Sequence, residues 1–259
     1  MRAHIDPAPD LPQSAIRTRF HRFISPPWFY RFAARWSGRL GWSALLLFAA
    51  GACGGLVLAP PDYQMGDSYR ILYVHAPAAW MSMFVYAVMA AAAASGLIWH
   101  LKLGEAVARA CAPLGAAFTL CALVTGSLWG RPTWGAYWVW DARLTSELVL
   151  LFLFVGCMAL SEALDDRRSA SRAAAVLAVA GVVNLPIIHF SVEWWNTLHQ
   201  GASVARFGRP SVDMRMLIPL LIMFAAFNLY FLAALLNRVS CELLDRERRT
   251  QWVAEVARG

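Results

Sequence analysis

Residues 41–60 read GWSALLLFAAGACGGLVLAP, a run of twenty residues without a charged side chain. An α-helix needs about 20 mostly apolar residues to cross a bilayer core about 30 Å thick, because it rises about 1.5 Å per residue. Five further segments meet this requirement, and the fifth is short and interrupted near Asn184 and Pro186. We therefore expect an all-α polytopic membrane protein with six transmembrane helices, at about 41–60, 74–99, 108–128, 144–164, 173–188 and 216–236.

The composition of the whole chain supports this class. Its 259 residues are 59% hydrophobic and 15% charged, with a mean hydropathy of +0.49, whereas soluble domains average roughly 45–50% apolar and about 25% charged residues. These values exclude a disordered chain, a disulfide scaffold and an ordinary cytosolic enzyme. The five cysteines form no C-x-x-C or C-x-x-C-H motif and no external pair, so we expect neither covalent c-type haem nor thiol exchange.

The distribution of positive charge predicts the orientation. Of the 23 Lys and Arg residues, 17 lie in the first 40 residues, the 2–3 and 4–5 connections and the C-terminus. Positive charge accumulates on the cytoplasmic side, so both termini are predicted to be cytoplasmic and the 1–2, 3–4 and 5–6 loops external. The net charge of +7 is explained by topology and headgroup contacts, without nucleic acid.

This orientation divides the chain into three parts. Residues 1–40 form a basic cytoplasmic extension, in which the mixed Arg and aromatic stretch 26–39 predicts a helix on the membrane surface. Residues 41–236 form the six-span membrane domain, with an external tryptophan-rich loop at 129–143, and residues 237–259 form a cytoplasmic tail.

Aromatic residues concentrate in that loop. Six of the twelve tryptophans lie in the 3–4 and 5–6 loops. An aromatic belt at the membrane interface is the simpler explanation, but a belt needs only one or two rings per helix end. Five rings on one loop instead favour a continuous apolar platform for a flat ligand; they are Trp129, Trp134, Tyr137, Trp138 and Trp140.

Three of the six histidines fall near this loop. His75 begins the second span, His189 ends the fifth, and His199 lies in the 5–6 loop, whereas His4, His21 and His100 have no such setting. Two neutral imidazoles on opposite sides of a plane are a common way to hold haem iron. An interfacial histidine by itself is more often a capping or headgroup residue. The propionates of a bound haem would need cations. The external candidates are Arg70, Arg131 and Arg143, with Arg70 and Arg143 ranked first.

These residues carry a family pattern. Residues 134–141, WGAYWVWD, fit W-G-x-x-W-x-W-D, the signature of the tryptophan-rich (WWD) haem-handling superfamily. The flanking VTGS at 124–127, ARLTSEL at 142–148 and NLPIIHFSVEWWNTLHQG at 184–201 extend the match. Over about residues 40–236 the chain closely resembles the haem exporter protein C (CcmC) family of bacterial cytochrome c maturation.

The resemblance implies a function and its residues. The two axial haem ligands of the family fall on His75 and His199, and the signature platform on Trp134, Trp138, Trp140 and Asp141, while His189 has a supporting place. It implies non-covalent, transient haem b, and a bacterial inner-membrane protein whose site faces the periplasm. The implied partners are an ABC-type ATPase with its membrane subunit, a small single-span subunit and a periplasmic haem chaperone.

Other readings of the same residues stay open at this point. A b-type electron carrier also pairs histidines with haem, but usually deep between facing helices. A haem permease would show mid-membrane polar residues and repeat symmetry, and cytochrome–haem lyases that share the signature are usually larger. No nucleotide-binding glycine loop or Ser/His/Asp set is present in the sequence, so we expect haem transfer without enzymatic hydrolysis.

Three acidic residues near the signature have open roles. Asp141 is placed either to cap the fourth helix or to contact haem. Glu147 lies one turn further into the span, where a carboxylate needs a partner, and Arg143 four residues before it is the expected one. Glu193 is external, and its contact is left open between haem, the chaperone and neither.

The charge distribution yields a direct test of topology. A reporter fused after Arg168 is expected to give a cytoplasmic signal, because this residue lies in the basic 4–5 connection. An external signal from this fusion would contradict the six-span arrangement.

Overall fold

The computed structural model describes residues 25–199 and 212–258. Within these ranges the chain is helical and contains no β-strand, and six helical segments are long and apolar enough to cross a membrane. This confirms the all-α, six-span prediction. The helices are α1 Pro26–Ala52, α2 Leu72–Trp99, α3 Lys102–Trp134, α4 Ala142–Ala163, α5 Arg167–Ala180, α6 Asn184–Trp194, α7 Met214–Arg246 and α8 Gln251–Val256.

Short irregular segments extend three of the spans. The π-helical segment Cys53–Leu58 prolongs α1, and the 3₁₀ segment Asp67–Ile71 leads into α2. The 3₁₀ turn Gly181–Val183 joins α5 to α6 within one span. The predicted interruption of the fifth span is therefore confirmed. The Asn184 side chain that follows it is buried and donates to the Ser146 carbonyl at 2.9 Å, which satisfies a polar group inside the bundle.

The core lies along α2, which packs against α3, α5 and α7. Its largest buried side chains include Tyr73, Met81 and Tyr86, with Phe154 of α4 and Phe231 of α7 facing them. Tyr86 and Phe154 meet edge to face at 5.0 Å. Helix α1 stands outside this core and packs chiefly on α7.

The N-terminal part of α1 differs from the sequence expectation. The expected separate surface helix at 26–39 is instead the first part of one helix that continues without a break to Ala52. Its aromatic residues stack along the helix, with Trp28 and Phe32 at 5.4 Å. The two glycines at 38 and 41 do not end the helix, because α7 packs alongside it and Ala233 lies close to Gly41. The expected boundary at residue 40 thus falls inside α1, and residues 1–24 lie outside the described ranges.

The tryptophan-rich loop is also shorter than expected. Helix α3 continues to Trp134, so only residues 135–141 connect it to α4. Pro132 lies inside the last turn of α3, where the Thr133 hydroxyl donates to the Trp129 carbonyl at 2.8 Å. Gly135 ends the helix with a φ of 81°, a left-handed conformation that favours glycine.

Two ends of the bundle can now be distinguished. We call the end with the α2–α3 and α4–α5 connections the basic end, and the opposite end, with the α3–α4 loop, the loop end. At the basic end Arg246 of α7 binds Glu105 of α3 at 2.8 Å and also contacts Glu242. Asp166 caps α5, and hydrogen bonds from Ser169 and from the backbone lower the pKa of its carboxyl group.

Candidate functional site

Two histidines meet at the loop end. His75 lies in the first turn of α2 and His199 follows α6, and their ring centroids are 6.3 Å apart with planes inclined by 34°. Trp129 meets His75 edge to face at 5.7 Å, and Trp134 lies 6.1 Å from His199. The structure therefore brings together four residues that the sequence assigned to one site.

Helix α3 fixes the orientation of the His75 ring. Its Nδ1 lies 3.1 Å from the Ala122 carbonyl oxygen and 3.1 Å from Thr125 Oγ1. A carbonyl oxygen only accepts, and the Thr125 hydroxyl donates its proton to the Cys121 carbonyl at 2.6 Å. Nδ1 must therefore carry the proton and donate. The lone pair of the neutral ring is left on Nε2, where a metal ion can bind.

The neighbouring glycine allows this close approach. A Cβ atom at Gly126 would lie 2.9 Å from Cε1 of His75, closer than such atoms normally come. Thr125 and Gly126 belong to the family match at 124–127, but no role for them was predicted from the sequence. Their position about one turn before Trp129 on the same helix is the feature that could have indicated a role at the site.

The tryptophans fall into two groups. Trp129 and Trp134 contact the histidine pair, whereas Trp138 and Trp140 contact each other at 5.4 Å. The second pair lines an apolar groove of about 480 Å³ between α3 and α4, with Leu120, Leu123, Val124, Ser127, Leu128, Leu148 and Leu151. Trp140 is 77% exposed. The ring contacts of the described residues thus divide the expected continuous platform into a histidine-facing part and a groove.

Several polar atoms around these rings are buried without a partner among the described residues. They include the indole Nε1 atoms of Trp129 and Trp138 and the Oδ2 atom of Asp141. The other carboxylate oxygen of Asp141 accepts from the Leu144 backbone at 2.8 Å. This confirms the predicted cap of the fourth span and leaves one oxygen unused. Buried unpaired polar atoms are uncommon, and here two donors and one acceptor lie on the tryptophan-rich segment 129–141.

The three arginines that the sequence suggested as propionate partners are held differently. Arg70 binds Asp67 at 2.9 Å and donates to the Gly55 carbonyl at 2.9 Å. Arg131 donates to the Gly135 carbonyl, and its guanidinium lies 5.7 Å from the Tyr137 ring centroid. Arg143 is half-buried and makes one long contact, 3.4 Å to the Ile188 carbonyl.

The prediction of an ion pair between Arg143 and Glu147 is wrong. No nitrogen–oxygen distance between the two side chains falls within 4.0 Å. Glu147 is 7% exposed and its Oε1 atom has no partner among the described residues. The i, i+4 spacing brings two positions to one helix face, but the Arg143 guanidinium is drawn instead toward the Ile188 carbonyl on α6.

Two other residues lie apart from the histidine pair. His189 of α6 is exposed, and its ring packs edge to face on Phe190 at 4.7 Å. Phe190 stacks in turn on Trp194 at 5.2 Å, and Trp194 contacts Trp195. Glu193 is exposed on the same helix. This aromatic row runs along α6 and onto Trp195, the residue that follows the helix.

Comparison with known proteins agrees with the resemblance. The sequence model of a family described as "Heme exporter protein C" matches residues 19–254. A protein of that name from Escherichia coli (strain K12) is 50% identical over 236 residues, which cover 91% of this chain and 95% of the relative. One from Haemophilus influenzae is 46% identical over 237 residues (92% and 96%). A third, from Bradyrhizobium diazoefficiens, is 49% identical over 234 residues (90% and 89%).

The matched region includes all six spans, both members of the histidine pair and the whole tryptophan-rich segment. The chain therefore belongs to the heme exporter protein C (CcmC) family.

Proposed function

We propose that this chain binds haem b non-covalently at its loop end, between His75 and His199, and hands it to a periplasmic haem chaperone during cytochrome c maturation. Haem is the cargo of this reaction and leaves unchanged. The protein supplies two ligands, an aromatic surface and cations for the propionates. Its role is to hold and present the porphyrin, and only the iron–imidazole bonds break when the haem leaves.

The spacing of the two imidazole rings carries this proposal. A metal–nitrogen bond of about 2.0 Å, with the ring centre about 1.1 Å beyond the nitrogen, places two axial imidazole centroids about 6 Å apart. The observed separation between His75 and His199 is 6.3 Å. The spacing of the rings is therefore compatible with one iron atom between them.

The hydrogen bonds of His75 suit the same role. Its donated Nδ1 proton leaves Nε2 as the metal-binding atom and raises the basicity of the ring. The neutral imidazole is the form that binds iron. Haem binding would thus use a ligand that is already oriented, which lowers the entropic cost of capture.

The surroundings fit the rest of the haem molecule. Trp129 and Trp134 line the histidine pair, and the groove beside Trp138 and Trp140 offers further apolar area for dispersion contacts. The unpaired indole donors match the acceptor oxygens of propionates. Arg143 is our first choice of cation, because Arg70 and Arg131 are already bound to their own neighbours.

The site also favours release. Trp140 is largely exposed and the groove opens at the protein surface, so a chaperone can reach a porphyrin edge while the histidines hold the iron. We place this end at the periplasmic face of the inner membrane, on the charge distribution of the connections. Energy for transfer would come from an ABC-type ATPase with its membrane subunit, and a small single-span subunit would complete the assembly.

The histidine assignment predicts an optical result. Wild-type chain purified in detergent without its chaperone should retain haem with a six-coordinate, low-spin spectrum. His75→Ala and His199→Ala should each convert it to a five-coordinate, high-spin spectrum and lower the haem retained, because one axial bond is lost. The measurement is absorption spectroscopy together with haem-to-protein stoichiometry.

His189→Ala is the matched control for this experiment. Its ring is exposed and packs on Phe190, so the spectrum should stay low-spin. Unchanged spectra in both the His75 and the His199 variants would show that the axial assignment is wrong.

A second prediction concerns the support of His75 by α3. Thr125→Val removes one acceptor of the Nδ1 proton, and Gly126→Ala pushes a methyl group toward Cε1. Changes in such supporting contacts lower metal affinity about 10- to 100-fold, so both variants should bind haem in this range more weakly while remaining folded. Haem titration with thermal unfolding in the same detergent measures both quantities.

Thr119→Val provides the control on the same helix. Its hydroxyl bonds to the Gly115 carbonyl at 2.8 Å, the same pattern as Thr125, but it is buried in the core away from His75. Equal haem affinity in the Thr125 and Thr119 variants would remove any special role of the α3 contact.

A further inference from the structure

A second cavity lies at the basic end, remote from the histidine pair. It has a volume of about 60 Å³ and is enclosed by α2, α3, α4 and α5. Its inner wall is apolar and made of small side chains, among them Ala93, Ala112 and Ala178. A cavity of this size has room for several water-sized groups, and so for a phosphate group.

The mouth of this cavity carries an excess of positive charge. Arg109, Arg168 and Arg172 line it together with His100, against one carboxylate, Glu105. Arg109 is neutralised by Glu162 and by Glu242, the latter at 3.3 Å. Arg168 and Arg172, by contrast, form no side-chain ion pair within 4.0 Å in the described part of the chain.

The nearby acids Glu105 and Asp166 form no side-chain ion pair with these two arginines and are engaged elsewhere. The Glu105 carboxylate is taken up by Arg246 at 2.8 Å and by the Ser171 hydroxyl at 3.5 Å. Asp166 accepts the hydrogen bonds that begin α5. Arg168 and Arg172 are four residues apart on one helix face, where like charges destabilise each other. An anion between them would relieve this repulsion.

The surface around the mouth is apolar. Ile98 and Trp99 at the end of α2 are 64% and 66% exposed, and Val176 and Val179 on α5 are also exposed. A phosphate-bearing ligand at this position would therefore lie beside two lipid-facing helix surfaces. Basic pockets between transmembrane helices on the cytoplasmic side bind anionic lipid headgroups, and the charge distribution of the connections predicts that this end is cytoplasmic.

We propose that this cavity is a head-group site for an anionic glycerophospholipid. Its phosphate lies between Arg168 and Arg172 at the mouth, and its acyl chains run along the exposed apolar side chains of α2 and α5. The lipid thereby bridges the α2–α3 turn, where His100 has a left-handed φ of 54°, to the start of α5. This site is independent of the proposed haem function.

The test measures lipid binding by the full chain in detergent. The probes are short-chain phosphatidylglycerol, short-chain phosphatidylcholine and inorganic phosphate, each titrated by thermophoresis. The wild type should bind phosphatidylglycerol, with phosphatidylcholine and inorganic phosphate much weaker. The double variant Arg168→Gln/Arg172→Gln should bind phosphatidylglycerol on the order of 30-fold more weakly.

Arg248→Gln/Arg249→Gln is the matched control. It removes two exposed arginines near the end of α7 at the basic end, outside the cavity, and should bind as the wild type does. Ala175→Leu fills the cavity without changing charge and should also weaken binding, which keeps the test valid if the arginine variant folds poorly.

Three results would overturn the proposal. Equal phosphatidylglycerol affinity in the two double variants would mean that the cavity arginines are not the site. Inorganic phosphate binding as tightly as the lipid would assign a free-phosphate site instead. If the wild type did not bind phosphatidylglycerol, the lipid site would be excluded, and the two arginines would be assigned to contact with an acidic segment of a partner protein.

Discussion

The hydrogen bonds from Nδ1 of His75 to α3 are the interaction on which the proposed site depends. They join the first turn of α2 to the Ala122 carbonyl and the Thr125 hydroxyl, and they require the close α2–α3 packing that Gly126 permits. Because the ring cannot turn without losing these bonds, Nε2 has a fixed direction. The tryptophans of α3 and His199 are arranged around this one oriented ring.

Elsewhere in the apolar bundle, buried polar groups are hydrogen-bonded locally, which avoids the free-energy cost of burying them unpaired. Buried hydroxyls bond back to their own helices, as Thr119 does to Gly115, and Asn184 bonds to α4. At the basic end, ion pairs among Glu105, Glu242 and Arg246 tie α3 to α7. Four of the buried unpaired atoms, on Trp129, Trp138, Asp141 and Glu147, lie on or just after the tryptophan-rich segment, and polar groups within membrane spans often mark functional sites.

The sequence predicted the features that depend on local composition. Apolar length identified the six spans, and residue type singled out His75, His199 and the tryptophans. It did not predict features that depend on packing between helices. Helix α1 continues through residue 40 because α7 packs alongside it. The prediction of an Arg143–Glu147 ion pair is wrong for the same reason, because the Ile188 carbonyl on α6 competes with Glu147 for the guanidinium. The end of α3 is an exception, because it is set locally by Gly135. The lone pair of His75 is set by contacts 47 and 50 residues away in sequence.

The central claim is that one iron atom is held by His75 and His199 together. Pulsed electron paramagnetic resonance of ferric, haem-loaded chain labelled with nitrogen-15 histidine tests it most directly, because the hyperfine couplings count the histidine nitrogens bound to iron. We predict a low-spin signal with two axial histidine nitrogens in the wild type, and one in His199→Ala. A single histidine nitrogen in the wild type, or two retained in His199→Ala, would contradict the account.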